Sequence, residues 1–250
     1  MQLPVNFTIS DGIGHIELNR PDAANTINMP LAEGFRQAAH AAANDPSVEV
    51  VLLTAAGKRF CGGGDVSAIA HAQHPGNFLT DLAATADAGV QLLEELDRPI
   101  VAAVQGAVAG AGLGIMLAAD VVVSADDTKF VFAYPEIGLT PDCGVSVALP
   151  RAMGLQRALA FALSRKPMSA TDALEQGLVS ELADDPLARA REVAATWASK
   201  ASGALGVTRQ LLRQSQNASR SAHGDREAHT IGQRVMTSEA QTLMNTFLSR

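Results

Sequence analysis

The stretch KRFCGGGDV, residues 58–66, sets three consecutive glycines directly behind an apolar run, VEVVLLTA, at 48–55. Ordering glycine carries a high conformational-entropy cost, so a glycine run beside a core reads as a place where bare backbone is needed. A second stretch repeats the arrangement: IVAAVQGAVAGAGLG, 100–114. In both, a buried strand ends in glycine and alanine and leads into a helix. Small residues leave backbone N–H groups open to close approach, and the first N–H groups of a helix have no partner within it. Two such donors converging on one oxygen would form an oxyanion hole, suited to the charge that develops on a carbonyl. Taken singly, each stretch is equally compatible with tight turns and close helix–sheet packing.

The flanks specify the context. VNFTIS and IGHIEL alternate apolar and polar residues around Asp11-Gly12, the pattern of a β-hairpin. The segment 19–28 reads as loop, and MPLAEGFRQAAHAAAND (29–45) as an amphipathic helix stopped near Asp45-Pro46. VEVVLLTA and RPIVAAVQG are continuous apolar strands of the fully covered kind. A helix is expected over 77–96 and a tightly packed one over 109–119. DVVVSA and KFVFA read as further strands, and helices run from 143 to the end, amphipathic after Pro186. Strands alternating with helices imply an α/β core with parallel strands.

Bulk properties restrict the function. A chain of 250 residues, 47% hydrophobic, can bury a large core. The net charge of −7 argues against nucleic-acid or anionic-membrane binding, which needs a basic face. Cys61 and Cys143 are too few for a disulfide framework or a structural zinc site. They suit a reducing compartment, and with no basic n-region before an apolar stretch a cytoplasmic location is expected. Residues 99–119 approach membrane-spanning length but are broken by Gln105 and several glycines. GAGLG falls short of a dinucleotide fingerprint because Ile115 stands at the sixth position. No His/Asp/Glu group has metal-ligand spacing, and His71 and His74 read as surface residues.

The two glycine stretches, with LNRPDAANTIN (18–28), GLTPDCGVSVALPRAMG (138–154) and ATDALEQGLVSEL (170–182), resemble the crotonase, or enoyl-CoA hydratase/isomerase, superfamily over nearly the whole chain. The resemblance implies an α/β fold, a ClpP-like spiral of ββα units over 1–185, and a C-terminal helical region over 186–250 that trimerises. It implies acyl-CoA thioester substrates, with coenzyme A part of the substrate and no separate cofactor or metal. The partner is the chain itself, as homotrimer or hexamer. Carried over by position, the oxyanion donors are the backbone N–H groups of Gly64 and Ala111. Gly62, Asp65 and Val66 lie along the CoA arm, Ala23 and Ala24 meet the adenine end through backbone, and Phe247 contacts CoA, in some members from the next subunit. Arg20, Lys58 and Arg59 are candidate partners for the CoA phosphates.

The acid–base residues decide the reaction. A hydratase of this family uses two glutamates. The first position falls on Gly114, which has no side chain. YPEIGL looks like a hydratase motif with Glu136 as proton donor, but Asp120 and Pro141 match family landmarks 21 positions apart, and the gapless count puts the glutamate position on Tyr134, a pocket residue by this alignment. Paired indels would restore Glu136. Asp142, in GLTPDCG, stands where isomerase branches carry Glu or Asp. One carboxylate beside an enolate site can remove a proton at one carbon and return it at another; capping the next helix is its alternative role. Cys143 as a nucleophile beside the oxyanion donors is a further option, with no histidine near it in sequence. The expected function is a double-bond shift in an enoyl-CoA with Asp142 as proton shuttle. The alternatives are a hydratase, a lyase, using Glu136, and a CoA-ester-binding subunit without turnover.

Overall fold

The structure is a computed structural model that describes residues 3–199, 202–215 and 220–248. β1 (Val5–Ser10) and β2 (Ile13–Leu18) pair antiparallel. Asp11 and Gly12 at the hairpin tip both have positive φ, 52° and 77°, as a two-residue type I′ turn requires. β3 (Val50–Ala55), β4 (Ile100–Val104), β6 (Val121–Ser124) and β9 (Glu181–Leu182) continue the sheet in parallel, in the order β1-β2-β3-β4-β6-β9. A second sheet joins β5 (Ala107–Ala109), β7 (Lys129–Val131) and β8 (Met168–Ser169), with β5 parallel to β7. The KFVFA strand is thus confined to its first three residues.

β3, β4 and β6 each reach a corner and continue into a second, shorter piece. β4 turns at Gln105-Gly106 into β5, and β6 turns after Ser124 toward β7. β3 turns through 56–60 to Cys61, which bridges Val108 of β5 in parallel. Three successive turns therefore stack, each one strand-width from the next. The corners are tied by Phe60 N–H to the Gln105 carbonyl (2.9 Å) and Lys129 N–H to the Gly106 carbonyl (2.9 Å). A Cβ on Gly106 would stand 1.9 Å from the Lys58 carbonyl oxygen, so only glycine lets the turns close. This stacking carries Gly62–Gly64 up against Gly110–Gly112, although about fifty residues separate them.

The main core lies between the sheet and α1 (Met29–Asn44), α3 (Pro75–Glu95), α4 (Ala111–Leu117), α5 (Val145–Met153) and α6 (Leu155–Ser164). The short α2 (Val66–Ala70) precedes α3, and α7 (Ala170–Glu175) precedes β9. The other sheet face presents Val50, Leu52, Val101, Ala103 and Val123, covered by Ala190 and Ala194 of α8 (Pro186–Ser199) with Trp197 beside them. Parallel strands buried on both faces explain the unbroken apolar runs. The first helix after Pro186 is thereby part of the spiral's own core.

α9 (Ser202–Ser215) is held by Arg209, whose side chain is 4% exposed. Its guanidinium donates to Asp120 (2.6 Å) and to the carbonyls of Leu93, Glu94 and Leu96 at the end of α3. At the helix end these carbonyls lack i+4 partners, Leu93 keeping only a long bond from Leu96 N–H (3.4 Å), and a planar guanidinium with several donors satisfies more than one at once. α10 (Arg220–Arg234) and α11 (Ser238–Leu248) follow, with Leu212, Ile231, Met236 and Leu248 exposed across these last helices. No helix among the described residues is long and apolar enough to cross a membrane.

Candidate active site

The donor loop after β3 is fixed from below. Ile27 N–H donates to the Gly63 carbonyl (2.8 Å) and Asp65 N–H to the Ile27 carbonyl (2.9 Å). In such a parallel bridge the intervening Gly64 turns its own amide away from Ile27. Among the described residues that amide donates to no acceptor, and neither does that of Ala111. Ala111 follows Gly110, whose φ of 52° and ψ of −127° lie in a region open to glycine. A Cβ on Gly110 would lie 3.5 Å from Gly63 Cα, and one on Gly63 3.1 Å from the Ala109 carbonyl. The two loops thus touch backbone to backbone. Two unpaired amides on touching loops suit one acceptor oxygen.

Asp142 reaches the same place from the chain after β7. The Tyr134 hydroxyl donates to Asp142 Oδ1 at 2.7 Å, and Tyr134 Cζ lies 3.9 Å from where a Gly110 Cβ would stand. Tyr134 is 7% exposed and packs edge-on against Phe132, with ring centroids 5.2 Å apart. Asp142 does not cap the following helix. α5 starts at Val145 with Gly144, in the left-handed region, as its N-cap and no side-chain capping bond. The carboxylate is held by tertiary contact instead.

Burial pushes the Asp142 carboxyl above the usual carboxylate range, and the negative charge of Asp87 on α3 pushes the same way. The hydrogen bond from the Tyr134 hydroxyl pulls against burial, and so do the backbone amide of Asp142 itself and the Cys143 side chain beside it. The Cys143 thiol is itself pushed up by burial and by Asp142, and burial takes Cys61 up to about 12. Both cysteines are protonated at neutral pH, which removes the nucleophilic thiolate that a Cys143 acyl-enzyme needs. A cavity of about 410 Å³ opens beside Asp142, walled by Cys143, Gly144 and Val147 on one side and by Asp87, Gln91 and Glu94 of α3 on the other.

Gly114 packs against the backbone of this loop. A Cβ there would stand 2.2 Å from the Cys143 carbonyl oxygen, so no larger residue fits. Glu136 lies in the short 3-10 turn Tyr134–Ile137 and is exposed. Its carboxylate takes both guanidinium donors of Arg165, at 2.8 and 3.0 Å, and Arg165 holds it below the usual range.

The remaining site residues lie along the donor loop. Gly62 N–H donates to the Ala24 carbonyl (2.9 Å), and the amides of Ala23 and Ala24 donate to Arg20 and Pro21 within a 3-10 turn. Asp65 caps α2 by accepting from Ala68 N–H (3.0 Å) and pairs with Arg20 at 2.8 Å. Burial pushes its carboxyl up, but the Ala68 amide and Arg20 together hold it below the usual range. Arg20 also donates to the Thr26 carbonyl, so this guanidinium braces the loop from inside. Lys58, Arg59 and Val66 are exposed. The side chain of Phe247 lies outside the described residues.

The sequence reading passed over Asn25. It is fully buried with φ of 52°. Its Nδ2 donates to the carbonyls of Ala56 and Arg59, and its Oδ1 accepts from Arg20 N–H at 2.7 Å. One side chain thus staples the 20–28 loop to the corner that launches the donor loop. The signal was an asparagine, which tolerates the left-handed region, inside a quoted motif. Asp87 was passed over as well, because its nearness to Asp142 exists only across the cavity.

A family model described as enoyl-CoA hydratase/isomerase matches residues 8–249. The trans-2-decenoyl-[acyl-carrier-protein] isomerase of Streptococcus mutans is 33% identical over 180 residues, 71% of this chain and 68% of that protein. The 1,2-epoxyphenylacetyl-CoA isomerase of Escherichia coli is 31% identical over 210 residues, 82% of this chain and 79% of that protein. The crystal structure of an enoyl-CoA hydratase/isomerase from Cupriavidus metallidurans superposes with a TM-score of 0.88 at 28% identity, over 98% of this chain and 93% of that one. Proteins named as hydratases match over similar lengths, so the names divide on the reaction while agreeing on the kinship. With a ββα spiral, two touching glycine loops with unpaired amides, and a match spanning nearly every residue, the chain belongs to the enoyl-CoA hydratase/isomerase family.

Proposed function

We propose that this protein is an enoyl-CoA isomerase, shifting a carbon–carbon double bond in an acyl-CoA thioester. The amides of Gly64 and Ala111 hold the thioester oxygen. Asp142 takes a proton from Cα of a 3-enoyl group as the C–H electrons move onto that oxygen, giving a dienolate. The same carboxyl then returns the proton at Cγ, and the 2-enoyl thioester leaves. No water is consumed. Coenzyme A enters as part of the substrate, with its arm along Gly62, Asp65 and Val66 and its adenine end near Ala23 and Ala24, and no separate cofactor takes part. Of residues 186–250, the part beyond α8 forms the self-association region of a cytoplasmic homotrimer or pair of trimers, and the apolar side chains exposed on the last helices support that reading.

One observation carries the proposal: Asp142 is tied through Tyr134 to the loop that bears the Ala111 amide. Burial that raises a carboxyl toward neutrality suits a group that must both accept and give up a proton. The hydratase alternative needs glutamates at two positions. Gly114 has no room for one, and Glu136 is exposed and held by Arg165. Relatives named as isomerases support the same side.

The test is a pair of assays on one preparation. With a 3-enoyl-CoA, the conjugated 2-enoyl chromophore is expected to appear at a kcat of about 1–10³ s⁻¹, the usual enzymatic range. Loss of that chromophore from a 2-enoyl-CoA by hydration is expected to be far slower. Hydration in the ordinary range without isomerisation overturns the proposal. Ester binding with neither reaction leaves the non-catalytic subunit.

A further inference from the structure

A carboxylate that moves a proton between two carbons must present one oxygen in one direction, because a misplacement of about 1 Å at a reacting group can cost about 10² in rate. Asp142 sits on a loop, and its side chain does not cap the helix that follows. The hydroxyl of Tyr134 is its fixed point, 2.7 Å from Oδ1. The phenol itself has little freedom. Phe132 meets it edge-on, Phe161 backs Phe132 at 6.4 Å, and Cζ lies 3.9 Å from where a Gly110 Cβ would stand. One clamped ring thus connects the loop of the Ala111 amide with the carboxyl.

We propose that Tyr134 is a positioning residue for proton transfer: its hydroxyl holds Oδ1 of Asp142, leaving Oδ2 as the oxygen that takes the proton from the substrate and returns it. The proposal rests on the reading of Asp142 as the proton carrier. Tyr134 keeps its own proton throughout. Burial and the neighbouring Asp142 charge push its phenol far above its ordinary value, so it donates a hydrogen bond and does not act as the acid.

Four other titratable groups bear on Asp142. Cys143 adjoins it on the same loop and favours its charged form, and Asp87 adds negative charge from α3. Glu94, about two turns further along α3, lines the same cavity. Cys61 on the adjoining spiral turn interacts with Asp142 as well. Tyr134 and Cys143 favour the carboxylate, whereas burial and Asp87 favour the acid. Removing the phenol hydroxyl must therefore move the Asp142 titration to higher pH, and removing the Asp87 charge must move it to lower pH.

The chain contains a single tyrosine, so uniform 3-fluorotyrosine labels position 134 alone. The fluorine signal of the labelled protein is expected to titrate with Asp142 and to lose that titration in Asp142→Asn. Tyr134→Phe, which keeps the ring, is expected to lower kcat on a 3-enoyl-CoA by about 10–100-fold, with KM within about twofold. Its kcat–pH profile is expected to have the acid limb at higher pH, and Asp87→Asn to shift that limb the other way. A fluorine signal indifferent to Asp142, or a Tyr134→Phe enzyme whose acid limb does not move, overturns the proposal even if kcat falls, because a purely structural ring would do no more. The label needs no substitution, so it decides the matter even if Tyr134→Phe fails to fold. An unlabelled enzyme without isomerase turnover, whose labelled form still follows Asp142, sinks the isomerase reading instead.

Discussion

Gly114→Ala adds one methyl group at the point where α4 meets the loop that carries Asp142. The new Cβ would stand 2.2 Å from the Cys143 carbonyl oxygen and 2.9 Å from Cys143 Cβ, against an ordinary contact of 3.4 Å or more. The gap must open by about 1.2 Å, and the obstacle is backbone that no rotamer change can move aside. Overpacking of this kind costs about 1–3 kcal/mol. For a chain of this size each kcal/mol lowers the unfolding midpoint by about 2–4 °C, so a fall of roughly 2–12 °C is expected. The displaced residue is the neighbour of Asp142, and if Asp142 carries the proton as proposed, a shift near 1 Å there predicts a loss of about 10² in kcat. CoA-ester affinity should change little, since the loops at 20–28 and 62–66 are not touched. The assays are differential scanning fluorimetry and 3-enoyl-CoA turnover. Gly76→Ala, at a helical position with nothing within 4 Å of its Cβ, serves as the neutral control. A Gly114→Ala protein with the midpoint and kcat of the control would refute the packing argument.

Three further substitutions test the remaining assignments. Asp142→Asn should lower isomerisation by about 10²–10⁴, the usual contribution of one general base. It should not lower stability at pH 7: the folded state holds the Asp142 proton to higher pH than the unfolded chain does, so stability falls as pH rises through that window, and the amide lacks this penalty. Thermal unfolding across pH would show the variant level with or above the parent at pH 7, the difference closing toward the ordinary carboxylate range. Glu136→Gln should leave turnover within about twofold, because it removes only an exposed pair with Arg165; a dead enzyme would return Glu136 to the site. Arg209→Ala leaves Asp120 with Arg213 as its remaining cation and uncovers the carbonyls at the end of α3, and breaking a buried pair costs about 3–5 kcal/mol. A midpoint within about 2 °C of the parent would show that α9 is held by other contacts.

The sequence was most informative where spacing alone carries meaning. The apolar runs at 48–55 and 99–104 predicted covered strands, and both are buried on two faces. Gapless counting from Asp120 to Pro141 separated Tyr134 from Glu136, and the structure puts the tyrosine inward on Asp142 and the glutamate outward on Arg165. Such a count rests on register, which survives wherever no insertion occurs, whatever the side chains do. A cap role for Asp142 was the alternative local reading. It failed because Gly144 takes the cap position, a choice settled by the backbone of the preceding turn.

By itself, then, the chain determined its kinship, the strand–glycine–helix order of its two loops, and the absence of a side chain at position 114. Each of these is a property of residues near one another in sequence. Tertiary structure alone decided which charges face one another. Arg20 looked free for a phosphate and is tied to Asp65, 45 residues away; Asp87 reaches the Asp142 cavity from another helix; α8 closes the core from beyond residue 186. It also supplied the reason for Gly114, since the Cys143 carbonyl that excludes a Cβ arrives from the following spiral turn. Burial and electrostatic coupling depend on distances through space, and the spiral sets those distances only once its turns have stacked.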